Sequence, residues 1–276
     1  MSAAARHAVN AIDQARIAYR VFETETPSSA APLVLVHGTA LSQAIWRGAG
    51  WTRALSADRT VITLDLRGHG RSDRPHAESA YTMPLFAADV LAVLDACEVP
   101  RAHIAGYSLG GRVAFHLTQS APERMASLIS VAGAPKNVQG AFDRVFFPGV
   151  IDALGTGDIE VFLARWQLHT GHPVAAVTAD AFRANDARAL AAYMRAGDVD
   201  GGVSLHDLAH FTQPALLLVG SQDSERMHAA ELAAAHLPDA RLVVIDDATH
   251  SSVIWQPAAR DAVLGFLTDI DPPLAQ

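Results

Sequence analysis

Apolar runs of strand length recur along the chain, with segments of helical period between them. Leu33-Val34-Leu35-Val36 is a continuous apolar run entered through Pro32. Val61-Ile62-Thr63-Leu64 follows and ends at Asp65, and His103-Ile104-Ala105 leads into Gly106 within a strand over 101–106. Leu128 to Val131 ends at Gly133, Ala215 to Val219 at Gly220, and Leu242 to Ile245 at Asp246. Runs without polar alternation suit strands covered on both faces, as in a parallel sheet. Arg16 to Phe22 reads as an earlier extended segment, an antiparallel strand at one edge.

The intervening segments carry apolar residues at helical spacing. Thr82 to Ala96 places Leu85, Phe86, Val90, Leu91, Val93 and Leu94 at such positions, with Thr82 as a cap and Pro84 in the first turn. Leu109–Gln119, Met227–His236 and Pro257–Leu267 read likewise. Strands alternating with helices predict an α/β fold with a mostly parallel, doubly wound sheet. From Lys136 to Leu205 the alternation stops. That stretch has no strand-like run and shows helical patterns near Asp158–Leu168 and Asp180–Arg195. It is too long for an ordinary connection. It reads as an inserted helical cap over 136–205, with the core formed by 1–135 and 206–276.

Composition narrows the class. The chain has 276 residues, 50% hydrophobic and 18% charged, a globular balance with enough length to bury a core without staples. The net charge of −8 argues against a nucleic-acid binder, and no polybasic stretch offers a handle for anionic lipid. The single cysteine, Cys97, allows no intrachain disulfide and no cysteine-based zinc cluster. The first 20 residues lack the apolar core of a signal peptide, and no run of about 20 apolar residues appears. The expectation is a soluble, cytoplasmic protein.

The sharpest chemical signal is Gly106-Tyr107-Ser108-Leu109-Gly110-Gly111, between the strand over 101–106 and the helix over 109–119. That is the setting of a Gly-x-Ser-x-Gly nucleophile elbow. The serine takes a tight turn that turns its hydroxyl outward, and small residues two positions either side let strand and helix approach. The helix N-terminus offers unpaired backbone N–H groups, that of Leu109 foremost, to a developing oxyanion. His37-Gly38-Thr39-Ala40, after the strand 33–36, supplies a second donor at Thr39. Each such donor contributes about 2.7–4 kcal/mol to the transition state. His37 itself reads as a structural residue that fixes this loop.

Of 13 histidines, His250 in Asp246-Asp247-Ala248-Thr249-His250 lies just past the C-terminal end of the last strand, where open α/β sheets gather their sites. It is the candidate base. Asp223, in Gly220-Ser221-Gln222-Asp223, is the candidate acid that orients it, with Glu225 as the local alternative. The end of the strand over 127–132 offers no carboxylate. Asp246 and Asp247 read as turn residues. His206 and His210 have helical spacing but no zincin glutamate between them, so no metal is expected there.

Taken together, these residues resemble an α/β-hydrolase-fold serine hydrolase of the esterase/lipase superfamily. The resemblance covers about residues 15–135 and 206–270 and includes Asp65-Leu66-Arg67-Gly68-His69-Gly70-Arg71-Ser72, which is similar to that family's loop after its fourth strand. Thr249 stands where the family usually has glycine, and Ser224-Glu225-Arg226-Met227 lacks its apolar-Pro pattern. A serine nucleophile argues against haloalkane dehalogenases and epoxide hydrolases, which use aspartate. The loop at His37 is not His-Gly-Gly-Gly, and Ser251 stands where carbon–carbon bond hydrolases of the fold often carry tryptophan.

The resemblance implies hydrolysis of carboxylic esters or lactones through an acyl-enzyme on Ser108, with no cofactor and no metal. Trp46, Phe146, Phe162, Trp166 and Tyr193 are the candidate substrate-binding residues, suited to small or medium apolar substrates. Arg165, Arg183, Arg188 and Arg195 read as solvated helix faces. The expected partner is a small-molecule ester or lactone, with neither nucleic acid nor membrane; a homodimer is left open. The alternatives are a non-hydrolytic or carbon–carbon bond-cleaving enzyme on this fold (an acyltransferase, perhydrolase-like enzyme or cofactor-free oxygenase), or a ligand receptor with a vestigial Ser-Asp-His set.

Overall fold

Two short strands, β1 (Arg6–Val9) and β2 (Arg16–Phe22), open the chain and pair antiparallel. The computed structural model describes residues 4–24 and 28–271. The run at Leu33–Val36 is β3, followed by two one-turn helices, α1 (Ala44–Gly48) and α2 (Trp51–Leu55), and then β4 (Val61–Leu64). The rhythm continues through α3 (Met83–Ala96), β5 (Ala102–Tyr107), α4 (Leu109–Ser120) and β6 (Met125–Val131). Six helices come next: α5 (Ala141–Val145), α6 (Val150–Gly155), α7 (Ile159–Thr170), α8 (Ala176–Arg183), α9 (Ala187–Val199) and α10 (Leu205–Leu208). The chain then returns through β7 (Ala215–Gly220), α11 (Ser224–His236), β8 (Ala240–Ile245) and α12 (Pro257–Ile270).

The strands form one sheet in the order β1-β2-β4-β3-β5-β6-β7-β8. From β4 to β8 every pairing is parallel, while β2 runs antiparallel to β4. The apolar runs are buried on both faces because helices cover both. Val34, Val36, Ile104 and Leu217 point into one apolar cluster with α3 and α4. Leu33, Leu35, Ala105 and Leu216 point into the other with α2 and α12. This period of two is the strand pleat read out as two cores. β8, an edge strand, is mostly partly buried or exposed instead, with only Ile245 buried. No helix among the described residues is long and apolar enough to cross a membrane.

Two expectations about elements change. The pattern over Asp180–Arg195 is two helices, because the chain breaks at Ala184-Asn185-Asp186. Asp186 caps α9 by accepting from the Ala189 N–H at 3.0 Å, and Asn185 donates to the Ala40 carbonyl at 2.9 Å. β1 has no apolar run to announce it. Its Asn10 end is held by a buried bond from Asn10 to Asp89 on α3.

The loop after β4 is held by charge. The Arg67 guanidinium, fully buried, donates to both Asp89 oxygens at 2.7 Å and to Asp13 at 2.7 Å, with a further bond to the Ala80 carbonyl. Asp89 is fully buried as well. Removing one partner of such a pair leaves the other charged and dry, which costs about 3–5 kcal/mol. Asp89→Ala is therefore expected to lower unfolding free energy by that amount in urea titration. A loss below about 1 kcal/mol would mean that Asp13 or water compensates Arg67 when Asp89 is gone.

Candidate active site

The turn between β5 and α4 sets the site. A Cβ on Gly106 would collide with the Gly110 backbone, and one on Gly110 with the Val36 carbonyl. Only glycines allow this approach of strand, helix and β3. Ser108 sits at the bend with φ 52 and ψ −110, a conformation an L-residue holds at a cost of about 1–3 kcal/mol. The turn is fixed by the Ser108 N–H donating to Val131 at 2.9 Å and the Arg112 N–H donating to the Ser108 carbonyl at 3.1 Å.

His250 and Asp223 come to Ser108 from two neighbouring loops. Asp223 lies at the N-terminus of α11, where one carboxylate oxygen accepts from the Arg226 N–H at 3.4 Å. Its other oxygen lies 2.7 Å from Nδ1 of His250, and Nε2 of His250 lies 3.0 Å from Oγ of Ser108. With Nδ1–H donating to Asp223, Nε2 is left free to accept from the serine hydroxyl. Asp223 is mostly buried while the imidazole is about one-third exposed, at 10% and 38%. Glu225 does not enter this chain; it faces the Arg226 guanidinium at 3.8 Å.

The histidine is held from behind by Tyr107. The Tyr107 hydroxyl donates to the His250 carbonyl at 2.8 Å, and the two rings stack at 5.7 Å. Thr249 also has a structural use. Its N–H donates to the Ser252 hydroxyl at 2.8 Å, and its own hydroxyl accepts from the Ser252 N–H at 3.2 Å. The side chain at the position where glycine is usual therefore closes the loop that presents His250.

Thr39 and Leu109 flank Ser108. The loop after β3 presses on the elbow, since a Cβ on Gly38 would stand 3.0 Å from Tyr107 and 3.2 Å from Ser108. His37 fixes this loop. Its Nε2 accepts from the Leu66 N–H at 3.0 Å, so Nδ1 carries the proton and donates to the Gly38 carbonyl at 2.8 Å. Among the described residues, no protein acceptor meets the backbone N–H of Thr39 or Leu109. The Thr39 hydroxyl is bonded to the Tyr193 hydroxyl of α9 at 2.9 Å.

A cleft of about 1330 Å³ runs between the core and the inserted helices, and Ser108, Asp223 and His250 open onto it. Its walls are mostly apolar, and Phe146 and Trp166 line it as expected. Three candidate substrate-binding residues sit elsewhere. Trp46 is fully buried and packs edge-on against Trp51 beneath the sheet, 5.2 Å between rings. Phe162 is fully buried too, tilted against Phe182 at 4.6 Å in the interior of the helical insertion. Tyr193 is buried among Phe86, Phe142 and His69 and faces a small recess beside Ser108 rather than the cleft.

Other side chains line the site without having been singled out: Tyr107, Asn137, Phe182, Arg226 and Ile254. Arg226 could have been found from its spacing, one helical turn past Asp223. Asn137 stands in an irregular loop and gives no sequence signal. Arg183 and Arg195 spend their charge on Glu160, Asp180, Glu78 and Asp152 at the surface. His206 and His210 meet edge to face at 5.3 Å, and the described residues hold no cluster of three metal-ligating side chains.

Comparison with known proteins shows the family of the chain. A family model described as the alpha/beta hydrolase fold matches residues 31–153. The rhodomycin D methylesterase DauP of Streptomyces sp. strain C5 is 30% identical over 260 residues, covering 80% of this chain and 85% of that protein. The chain belongs to the α/β-hydrolase family. A pimeloyl-[acyl-carrier protein] methyl ester esterase of Aeromonas hydrophila is 41% identical over 103 residues, covering 37% of this chain and 38% of that protein. The chain thus spans well under two thirds of that relative's length. The crystal structure of the esterase RhEst1 from Rhodococcus sp. superposes with a TM-score of 0.77 at 26% identity, covering 96% of this chain and 99% of that one.

Two buried histidines near the candidate site are expected to make its scaffold acid-sensitive. Burial pushes His37 below its usual range, and burial together with the neighbouring His37 pushes His69 down to about 3. Unfolded, both bind a proton near pH 6.5; folded, they stay neutral. For His69 the stability is therefore full above about pH 6.5 and lost as pH falls toward 3, by about 1.4 kcal/mol per pH unit, and His37 adds a loss in the same direction. In urea titrations between pH 6 and 4.5, His69→Gln should show a shallower decline than the parent by about that slope. Parallel declines would mean that His69 charges in the folded state.

Proposed function

We propose that the chain is a serine hydrolase of carboxylic esters or lactones with small to medium, mostly apolar substrates. The observation that carries this reading is the unbroken run of hydrogen bonds from Asp223 through His250 to Ser108, at 2.7 and 3.0 Å, opening onto an apolar cleft.

Ser108 is the nucleophile. Its Oγ attacks the carbonyl carbon while Nε2 of His250 takes the hydroxyl proton. The carbonyl oxygen gains negative charge between the N–H groups of Thr39 and Leu109. As the bond to the alcohol oxygen breaks, the imidazolium returns that proton to the leaving group. Water then enters, His250 deprotonates it as it attacks the acyl carbon, and the imidazolium gives that proton to Oγ as the acyl–Oγ bond breaks, which frees Ser108 and the carboxylic acid. Asp223 keeps the imidazole in the Nδ1–H tautomer and stabilises its charged form without itself taking the proton. Tyr107, bonded to the His250 carbonyl, positions the ring.

The esterase relatives and the mostly apolar walls support an ester or lactone as the substrate. A fluorophosphonate probe should label Ser108 alone, located by peptide mass mapping. Ser108→Ala should abolish ester turnover, and turnover of p-nitrophenyl acetate retained by that variant would refute the mechanism. Asp223→Asn should lower kcat by about 10³–10⁴. Glu225→Gln should leave kcat within about threefold; the reverse order of effects would make Glu225 the acid.

A further inference from the structure

Beside Ser108, adjoining the large cleft, lies a recess of about 50 Å³ that Thr39, Ser108 and Leu109 share with the mechanism above, and that Ala134, Phe142 and several polar groups the mechanism leaves unused complete. Arg112 and Arg226 reach it from α4 and α11, Asn137 from the loop after β6, and Thr39 and Tyr193 from the core and α9. Arg112 is 3% exposed, and its Nε has no partner. The rest of that guanidinium is held by Asp200 at 2.8 Å and the Gly197 carbonyl at 3.4 Å. The Arg226 side chain is 16% exposed, and it meets the Glu225 carboxylate only loosely, at 3.8 Å. A mostly dry guanidinium with so loose a counter-charge is costly unless something else pairs with it.

We propose that this recess binds a carboxylate on the acyl arm of the substrate, so that the preferred substrates are half-esters of short dicarboxylic acids with an apolar alcohol. The inference rests on the reading of Ser108 and His250 given above. Three observations direct it. A guanidinium fork matches a planar carboxylate, and Asn137 adds an amide donor beside it. The small volume favours a short arm ending in the carboxylate. The leaving alcohol must lie where His250 can return its proton, and His250 lines the large cleft but not the recess. The arm that enters the recess is therefore the acyl arm, and the alcohol lies along Phe146 and Trp166. Arg226 is the specificity-determining residue; Arg112, tied to Asp200, shapes the recess and adds field.

Monobenzyl succinate and its uncharged isostere benzyl 4-methylpentanoate test this, with release of benzyl alcohol as the readout. The parent should favour the charged ester in kcat/KM by about tenfold to a hundredfold, the range of a charge-assisted bond in a mostly dry site. Arg226→Gln should lower turnover of the charged ester by that factor more than it lowers turnover of the neutral ester. Arg226→Lys should retain part of the preference. Preference for the neutral ester in the parent, or equal losses on both esters in Arg226→Gln, would overturn the proposal. Calorimetry on Ser108→Ala separates the two readings. Binding of monobenzyl succinate that weakens about tenfold or more on adding Arg226→Gln supports the recess whatever the parent's turnover. If the parent then cleaves neither ester, the hydrolase reading fails alone. Equal affinity of Ser108→Ala for both esters overturns the recess.

Discussion

The site depends on how closely three backbones can approach at one point. β3, the end of β5 and the start of α4 meet where any Cβ on residue 106 or 110 would collide with main chain. That contact forces Ser108 into a positive-φ bend. The bend turns Oγ away from both the strand and the helix, toward the end of the sheet where the loops gather. The parallel sheet supplies the remainder, because β3, β5, β7 and β8 all end on that side. Loops that are far apart in sequence thus deliver Thr39, Asp223 and His250 to one serine without any long-range search by flexible side chains.

Polar groups in the dry interior hold those loops still. His37 joins the loop after β3 to the loop after β4 through the Leu66 N–H. Asp65, nearly fully buried, accepts from the Gln43 N–H at 2.7 Å and the Arg71 N–H at 3.0 Å. Such groups are inexpensive only while paired, so each bond resists displacement of the loop it closes. The same logic makes the scaffold sensitive to acid, since a buried imidazole that accepts a backbone bond cannot also take a proton.

What the sequence made legible follows from what is local. A strand buried on both faces shows itself as an apolar run, and the elbow as glycines around a serine. Asp223 and His250 follow because loops after consecutive parallel strands must lie side by side. β1 is not legible in this way, since only one of its four residues is buried and its support comes from Asn10 and α3, far along the chain. Aromatic residues mislead for a related reason. Trp46, Phe162 and Phe146 look alike in sequence, yet the first fills the space under the sheet, the second fills the helical insertion, and only the third faces the cleft. Which side of a helix meets a cavity depends on helix packing that no local pattern encodes.

Tyr193 shows how the insertion and the core act as one unit at the site. Its ring packs against His69, Tyr81 and Phe86 of the core and against Phe142 of the insertion. Its hydroxyl meets Thr39, so α9 touches the loop that supplies an N–H beside Ser108. α8 is fastened differently, through Phe182 within the insertion and through the exposed Arg183–Glu160 pair, which water screens. The two parts of the insertion are therefore unequal. Moving α9 means breaking a part-buried hydroxyl pair and an aromatic cluster shared with the core, whereas moving α8 disturbs contacts within the insertion, surface charges and, at its C-terminal end, the Asn185 bond to the Ala40 carbonyl. Substitutions on α9 should thus act on the geometry around Ser108 as well as on the shape of the cleft, and those on α8 chiefly on its shape.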